Sequence, residues 1–136
     1  MPNCRSELLL NINQNLSRKD INIKIENALN NVGLKGFEKR PVSTLSGGQK
    51  QRLTIACSLV SNRNFILMDE PTALLDKGSQ LKVLKTIKGL TKNQRNPFTV
   101  LWITHRLEEL IFADGVAEMK DGNLSVWEKP SNFKYK

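Results

Sequence analysis

The sequence predicts an α/β protein in which a helical region precedes a partly parallel sheet with crossover helices. Two observations support this prediction. Up to about residue 62 the apolar residues recur at helical spacing, whereas beyond it short apolar runs at 65–68 and 98–103 enclose a helical pattern at 79–92. Alternation of strand, helix and strand is typical of parallel strands joined by a crossover helix.

Two helices are predicted in the first region. In the first of them, apolar residues recur from Ile21 to Val32, Asp20 is the expected N-cap and Gly33 the expected stop. The second is predicted over 47–61, after a Ser-x-x-Gln sequence with the spacing of a capping box. Both helices therefore carry local signals for where they begin or end.

The second region contains strands that are continuously apolar. Phe65–Met68 and Thr99–Ile103 are each apolar enough that we expect two buried, parallel strands. Near the end of the chain, Asp121-Gly122 is a hairpin signal, because these residue types tolerate positive φ. The remaining predicted elements are a short helix at 106–112 and strands near 116–119 and 123–127.

The chain is basic, with a net charge of +8, and its densest basic segment, 77–95, contains no acidic residue. Apolar residues recur about every third position there, which predicts an amphipathic helix with its cations on the solvated face. The predicted apolar face contains Leu81, Leu84, Ile87 and Leu90, and the predicted basic face contains Lys77, Lys82, Lys85, Lys88, Lys92 and Arg95.

The simplest interpretation of this basic face is a solvated helix surface. Contact with acidic lipid or with an acidic protein is the alternative. A specific nucleic-acid interface is not expected, because no aromatic residues interleave with the cations to stack on bases.

Two features bear on the compartment. The one continuously apolar run near the start, Leu8–Leu10, is much shorter than a signal-peptide core or a membrane span. Cys4 and Cys57 lack metal-binding or redox spacing, which is typical of a reducing compartment.

Residues 45–49 read Leu-Ser-Gly-Gly-Gln and precede the second predicted helix. Helix N-termini bind anions through free N–H groups and the helix dipole, and glycines let the backbone approach a phosphate closely. The same residues are also compatible with a purely structural capping box. The two interpretations do not exclude each other.

Asp69 and Glu70 end the first apolar strand. Adjacent carboxylates repel each other unless a cation or a catalytic role holds them together. Phosphoryl transfer needs Mg²⁺ on the phosphate oxygens and a group that orients the attacking water. The pair therefore predicts a phosphate-handling site, with a plain strand-ending turn before Pro71 as the structural alternative.

Two further polar residues complete the set. Asp76 follows Asp69 by seven residues, and His105, the only histidine, follows the second apolar strand. No phosphate loop of the form G-x-x-x-x-G-K-[ST] occurs, and none of the eight glycines precedes a lysine. These features are those of the second half of a phosphate-handling ATPase.

The whole pattern resembles the nucleotide-binding domain of the ABC ATPases, a P-loop NTPase-like α/β fold. Leu45–Gln49 is similar to the family signature, Phe65–Glu70 to the Walker B strand, Ala73–Asp76 to the D-loop and Ile103–His105 to the switch-histidine region. The motifs agree in order and spacing. The details look closest to importers of the energy-coupling-factor or metal-uptake type.

The resemblance implies a domain organisation. Residues 1–136 are expected to be a partial nucleotide-binding domain, with 1–62 as a helical subdomain carrying the signature loop and 63–136 as the C-terminal half of the ATP-binding core. A complete domain of this family is larger. We therefore expect the Walker A half to be missing, and the chain to be inactive alone.

The resemblance also implies roles for individual residues. Glu70 is the expected catalytic carboxylate that polarises water, His105 the catalytic residue that hydrogen-bonds the γ-phosphate, and Asp69 the residue that holds Mg²⁺ through water. The expected cofactors are ATP and Mg²⁺. The residues expected to contact nucleotide across a dimer are Ser46, Gly47, Gly48, Gln49 and Asp76.

The implied function is ATP binding and hydrolysis by an ABC transporter subunit. Its implied partners are an ABC-type dimer partner and a transmembrane transporter subunit. The implied location is the cytoplasm or plastid stroma, peripheral on the inner face of a membrane. One alternative is a non-catalytic partner that donates the signature loop to an intact subunit. The other is an ABC-type ATPase acting on DNA, disfavoured because no coiled-coil heptads occur.

Overall fold

The computed structural model describes most of the chain and divides it into two compact units, 1–103 and 104–136. Arg95, which we predicted on the basic face, lies outside the described residues. The described ranges are 1–12, 15–61, 63–92 and 98–134.

Three helices form the first part of unit 1–103: α1 (Cys4–Leu9), α2 (Arg18–Asn31) and α3 (Gly47–Val60). A single 3₁₀ turn, Val42–Thr44, precedes α3. The two predicted helices, α2 and α3, are both present. The helix α1 was not predicted. It is short, and it begins with a capping box between Asn3 and Ser6.

The start of α2 differs from the prediction. Ser17, and not Asp20, is the N-cap, and its Oγ accepts the backbone N–H of Asp20 at 3.2 Å. The predicted cap at Asp20 is therefore wrong. Asp20 lies in the first turn instead, where its carboxylate accepts the Ser17 hydroxyl at 2.6 Å and interacts favourably with the positive end of the helix dipole.

The end of α2 confirms the predicted stop at Gly33, which has φ +73°. The N–H of Gly33 donates to the carbonyl of Asn30 at 3.0 Å, and the N–H of Leu34 donates to the carbonyl of Leu29 at 2.8 Å. This pair of bonds is a Schellman motif, in which glycine adopts the left-handed conformation without a Cβ penalty.

The core of unit 1–103 is one apolar cluster with members from α1, α2 and α3 and from residues 66–87. The helices α1, α2 and α3 pack against one another. Burying such side chains supplies the main favourable term in folding. The most completely buried members are Cys4, Leu8, Ile25, Leu29, Val32, Leu34, Ala56, Val60 and Val83.

The sheet of unit 1–103 consists of β1 (Phe65–Asp69) and β2 (Thr99–Ile103), connected through α4 (Lys77–Thr91). The strands are parallel, with Phe65 opposite Thr99 and Asp69 opposite Ile103. The predicted parallel pair with a crossover helix is thus confirmed. Because parallel strands share a direction, both strands end at the same edge.

Burial of the strands differs from the prediction. In β1, Ile66 and Met68 are buried, whereas Phe65 and Leu67 are 56% and 58% exposed. In β2 no residue is fully buried. The expectation of two buried strands is wrong because side chains alternate between the faces, and the described residues cover one face only.

The helix α4 buries Val83, Leu84 and Ile87 as its apolar face. Leu81 was predicted on that face but is 43% exposed. Its position explains the difference, because residues four apart share a side of a helix and Leu81 is four residues from both Lys77 and Lys85. As predicted, the lysines at 77, 82, 85 and 92 are exposed.

Unit 104–136 contains a 3₁₀ helix and a small antiparallel hairpin. The helix, Leu107–Phe112, agrees with the predicted short helix. The strands β3 (Met119–Lys120) and β4 (Asn123–Leu124) are shorter than predicted, and Val116 pairs with Glu128 beyond them. Asp121 and Gly122 both have positive φ, which confirms the predicted turn. Among the described helices, none is long and apolar enough to span a bilayer.

Candidate functional site

The Ser46–Gln49 loop begins α3 with a complete capping box. Ser46 Oγ accepts the Gln49 backbone N–H at 3.3 Å, and Gln49 Oε1 accepts the Ser46 backbone N–H at 3.0 Å. The predicted capping box is confirmed. In this arrangement the Ser46 hydroxyl hydrogen and the Gln49 NH₂ group remain available as donors. The backbone N–H groups of Gly47 and Gly48 lie in the first turn, where a helix offers them no acceptor of its own.

Gly48 brings this loop into contact with the loop 71–76. A Cβ at Gly48 would lie 3.1 Å from the Leu74 carbonyl oxygen and 3.6 Å from Leu75 Cδ2. Nothing lies within 4 Å of the corresponding point at Gly47. Because a backbone carbonyl cannot move aside as a side-chain tip can, the close approach of the two loops requires the missing side chain at Gly48.

Gln80, which is 8% exposed, hydrogen-bonds to the backbone of the loop 71–76. Its Nε2 donates to the Leu75 carbonyl at 2.9 Å and to the Thr72 carbonyl at 3.3 Å. Thr72 is also buried, at 1% exposed. Buried polar groups are costly unless they are hydrogen-bonded, so these bonds both satisfy the amide and fix the path of the loop.

A second connection joins α3 to the start of α4. Arg52 Nη1 donates to Ser79 Oγ at 2.6 Å, and the Ser79 N–H donates to Asp76 Oδ1 at 3.0 Å. Asp76 is the N-cap of α4. Hydrogen bonds from the Ser79 side chain and then from its backbone N–H lower the pKa of the Asp76 carboxyl, so it is ionised at neutral pH.

Asp69 and Glu70 lie where β1 ends. The Glu70 N–H donates to the Ile103 carbonyl at 2.9 Å, which continues the strand pairing by one residue. Glu70 has φ +43°, in a left-handed conformation that non-glycine residues rarely adopt. Such strained residues cluster at functional sites. Asp69 is exposed and Glu70 is half-buried, so the pair is accessible at the carboxyl edge of the sheet.

His105 belongs to unit 104–136, whereas the other predicted site residues belong to unit 1–103. Its side chain is exposed. It lies between Thr104 and Arg106, where the Arg106 N–H donates to Thr104 Oγ1 at 3.0 Å. The structure thus brings the Ser46–Gln49 loop beside the Asp76 loop in one unit, with the carboxylate pair at the edge of the same unit's sheet.

Sequence reasoning missed Gln80 and Arg52. Gln80 interrupts the apolar face of α4, near Val83, Leu84 and Ile87, and a polar residue on such a face indicates a buried hydrogen bond. That signal was present in the sequence. Arg52 offered none, since arginine is common on helix surfaces and its partner is 27 residues away.

The sequence profile of a family described as "ABC transporter" matches residues 4–73, which is more than half of the chain. The matched range contains the Ser46–Gln49 loop and both Asp69 and Glu70. The chain belongs to the ABC transporter family. The matched range ends before Asp76 and His105.

Relatives within this family include proteins from a plant and a bacterium. ABC transporter I family member 10 of Arabidopsis thaliana is 36% identical over 126 residues, which are 91% of this chain and 46% of that protein. The energy-coupling factor transporter ATP-binding protein EcfA1 of Streptococcus pyogenes serotype M1 is 36% identical over 121 residues, or 89% of this chain and 43% of that protein. The chain therefore spans about half the length of the curated relatives it matches.

Solved structures agree with the family assignment. The dimeric structure of MJ0796, a bacterial ABC transporter cassette, superposes with a TM-score of 0.81 at 27% identity and covers 98% of this chain and 59% of that one. CbiO1 from Clostridium perfringens, part of the ABC transporter complex CbiONQ, gives 0.78 at 27% identity over 95% of this chain and 51% of that one. Over nearly all of its length the chain has the α/β, P-loop NTPase-type fold of part of an ABC cassette.

Proposed function

We propose that the chain contributes to the ATP-binding and ATP-hydrolysing subunit of an ABC transporter. One observation carries this proposal. The N-terminus of α3, which offers hydrogen-bond donors, packs through Gly48 against the loop 71–76, and this loop directly follows Asp69 and Glu70. Both features lie in or beside the range that matches the family. The 136 residues include no phosphate loop, so the complete site also needs a phosphate loop from another segment.

The Ser46–Gln49 loop is proposed to bind the terminal phosphate of ATP held by a partner domain. Its geometry fits an anion, because the donors of Ser46, Gly47, Gly48 and Gln49 share the positive end of α3. The hydroxyl of Ser46 accepts one hydrogen bond from the chain and can donate another to a phosphate oxygen. ATP would supply the phosphoryl group to be transferred.

The carboxylate pair is proposed to handle Mg²⁺ and water. Asp69 is exposed at the strand end, where it can hold Mg²⁺ through a water molecule. In the described chain no group of three or more His, Cys, Asp or Glu residues could hold a metal alone. This fits Mg²⁺, which is bound through one or two carboxylates together with substrate phosphates. Glu70 is proposed to orient and polarise the attacking water.

Two further roles are proposed from the family resemblance. Asp76 is proposed to lie near the nucleotide across the dimer, and its place in the loop that contacts Gly48 supports this role. His105 is proposed to hydrogen-bond the γ-phosphate. Its exposure leaves it accessible for that role.

The proposed partners are a second ABC-type domain and a transmembrane transporter subunit. A dimer would supply the phosphate loop that this sequence does not contain. The Ser46–Gln49 loop would then contact the nucleotide that the partner domain binds. The solved MJ0796 cassette is described as dimeric, and CbiO1 as part of a transporter complex. We propose a location on the cytoplasmic or stromal face of a membrane, peripheral to the transporter.

A second candidate is a non-catalytic partner that lends its loop to an intact subunit. The specific observation in its favour is that the Ser46–Gln49 loop is fully formed by contacts within residues 46–75, without any phosphate loop in the chain. The two candidates differ in whether Glu70 takes part in hydrolysis.

The deciding experiment is reconstitution with a polypeptide that carries the phosphate-loop half of an ABC domain. We expect ATP hydrolysis by the mixture, and a fall of at least about 100-fold in turnover for Glu70→Gln, because the variant cannot polarise water. Nucleotide binding by the mixture should remain unchanged. Glu26→Gln, which alters an exposed residue of α2, is the matched control and should hydrolyse ATP normally.

The outcomes separate the two candidates. Equal turnover by Glu70→Gln and by the unchanged chain would remove Glu70 from catalysis. If the mixture is inactive but the chain stimulates an intact ABC subunit, and Ser46→Ala abolishes that stimulation, the chain is a donor of the signature loop only.

A further inference from the structure

The solvent side of α4 is a continuous basic surface. Its residues Lys77, Lys82, Lys85 and Lys92 are exposed, and Lys88 is half-buried. With 3.6 residues per turn, Lys77, Leu81, Lys85, Lys88 and Lys92 follow one another at intervals of three or four and form a single stripe. We call these five residues the lysine stripe. It runs the length of the helix, about 22 Å.

The lysine stripe contains one apolar residue at a position where solvent contact is unfavourable. Leu81, between Lys77 and Lys85, is 43% exposed although leucine is an apolar residue. The apolar side of α4 is already occupied by Val83, Leu84 and Ile87, so Leu81 has no place in the core. An exposed leucine among cations can add apolar contact to an electrostatic attraction at a membrane interface.

The loop beside α4 adds further positive charge. Lys82 Nζ lies 3.3 Å from the point where a Cβ of Gly33 would be, so α4 adjoins the 33–36 loop, which carries the exposed Lys35. The acidic residue next to the stripe in sequence is Asp76, whose carboxylate is already hydrogen-bonded to Ser79. No acidic residue occurs within α4.

We propose that the lysine stripe of α4 docks this unit on an anionic phospholipid surface, with Leu81 inserted among the headgroups. Clusters of four to eight lysines or arginines recognise anionic lipid, at about 1 kcal/mol per cation near the surface. The inference is independent of the proposed ATP site, since none of the five residues belongs to that site. It adds a direct membrane contact to any contact through a transmembrane partner.

The observations favour lipid over nucleic acid as the occupant. The described part of α4 has no arginine to bind guanine in a bidentate manner and no aromatic side chain to stack on a base. An exposed leucine has no function on a phosphate backbone, whereas it adds affinity for a membrane interface. Nucleic acid and acidic protein are therefore outcomes that the experiment must separate.

The experiment measures sedimentation of the 136-residue chain with vesicles at about 0.15 M salt. The vesicles contain phosphatidylcholine with phosphatidylglycerol, or phosphatidylcholine alone. We expect binding to the anionic vesicles only. Lys85→Gln with Lys92→Gln should weaken it about 20-fold, because two cations of the stripe are removed.

A matched control removes the same charge elsewhere. Arg18→Gln with Lys19→Gln alters two exposed cations at the start of α2, about 20 Å along that helix from Asn31, whose carbonyl accepts the Thr86 hydroxyl of α4. This variant should bind almost as the unchanged chain does. Lys85→Arg with Lys92→Arg keeps the charge and should also bind normally.

Leu81→Ser separates lipid from the other polyanions. It keeps every charge, and it should weaken vesicle binding by about 5-fold through the loss of apolar insertion while leaving binding to duplex DNA or polyglutamate unchanged. Equal weakening by both double-glutamine variants would overturn the proposal in favour of nonspecific attraction by net charge. Tighter binding to DNA or polyglutamate than to anionic vesicles, or no effect of Leu81→Ser, would also overturn it.

Discussion

The helical part of unit 1–103 and its two-stranded sheet differ in how completely their apolar side chains are buried. Most apolar side chains of α1, α2 and α3 are buried or half-buried, with Ile23 of α2 exposed, and capping groups satisfy the start of each helix. In the sheet, by contrast, Phe65 and Leu67 on one face of β1 remain more than half exposed, and Asp69 on the same face is exposed as well.

The difference arises because a helix and a strand need different neighbours to bury their apolar side chains. A helix with local caps and one apolar stripe needs only neighbouring helices, which lie within the first 60 residues. A strand with apolar side chains on both faces needs a layer on each side. An uncovered apolar face is the usual mark of an interaction surface. The uncovered face of β1 therefore agrees with the proposal that the nucleotide site is completed by another polypeptide segment.

The largest expected effect compares two leucines. Leu29→Ala in α2 removes a side chain that is 0% exposed and should lower the free energy of unfolding by about 2–5 kcal/mol, from lost burial and a residual cavity. Leu67→Ala on the open sheet face should change it by less than about 0.5 kcal/mol. Urea unfolding of the two variants measures both. Equal losses would mean that the sheet face is covered in solution.

The next prediction compares two glycines with opposite expected signs. Gly33→Ala should destabilise the unit by about 1 kcal/mol, because alanine at φ +73° is strained and its Cβ would lie 3.3 Å from Lys82 Nζ. Gly89→Ala in α4 has open space and should stabilise it by about 0.5–1 kcal/mol. Thermal unfolding checks the signs. A stabilising Gly33→Ala would contradict the Schellman geometry.

A third prediction concerns the capping box. Ser46→Ala should cost about 1 kcal/mol of unfolding free energy, since the Gln49 N–H loses its acceptor. Ser43→Ala, in the exposed 3₁₀ turn just before the loop, should be close to neutral and is the control. A neutral Ser46→Ala would contradict a stabilising role for this capping bond.

The last prediction tests whether the Cys57 thiol is shielded from water. Burial raises the pKa of the Cys57 thiol from 9.0 to about 11. Below pH 9 the thiol is protonated in both states and has no effect; between pH 9 and 11 the unfolded thiol ionises first, so stability falls as pH rises. Cys57→Ala should reduce this fall by about 1 kcal/mol, allowing for partial exposure. Parallel pH profiles of the two proteins would place Cys57 in contact with water.

Local features of the fold could be predicted from the sequence. Ser46 with Gln49, Gly33, and Asp121 with Gly122 each specify their geometry through backbone bonds or φ values that depend on a few neighbouring residues. The parallel pairing of β1 and β2 followed from the order of the elements.

Features that depend on contacts between residues far apart in the sequence could not be predicted. The apolar run Phe65–Met68 has the same composition whether one face or both are covered, so exposure of Phe65 and Leu67 was not foreseen. Leu81 was wrongly predicted on the apolar face. Residues three apart differ by about 60° around a helix, so Leu81 and Leu84 can lie on the solvent side and the core side respectively. For the candidate site, the sequence indicated the residue types and spacing, whereas the packing of Gly48 on Leu74 and the bonds of Gln80 depend on tertiary contacts.

The most direct test of the central claim is titration of a labelled ATP analogue with Mg²⁺ into the purified 136-residue chain. Because these 136 residues contain no phosphate-loop sequence to anchor the triphosphate, we predict a dissociation constant of about 1 mM or weaker. Addition of a phosphate-loop half should bring it into the micromolar range, where Asp69→Asn should weaken it only in the presence of Mg²⁺. Micromolar affinity of the chain alone would contradict the account, because the chain would then contain a phosphate site of its own.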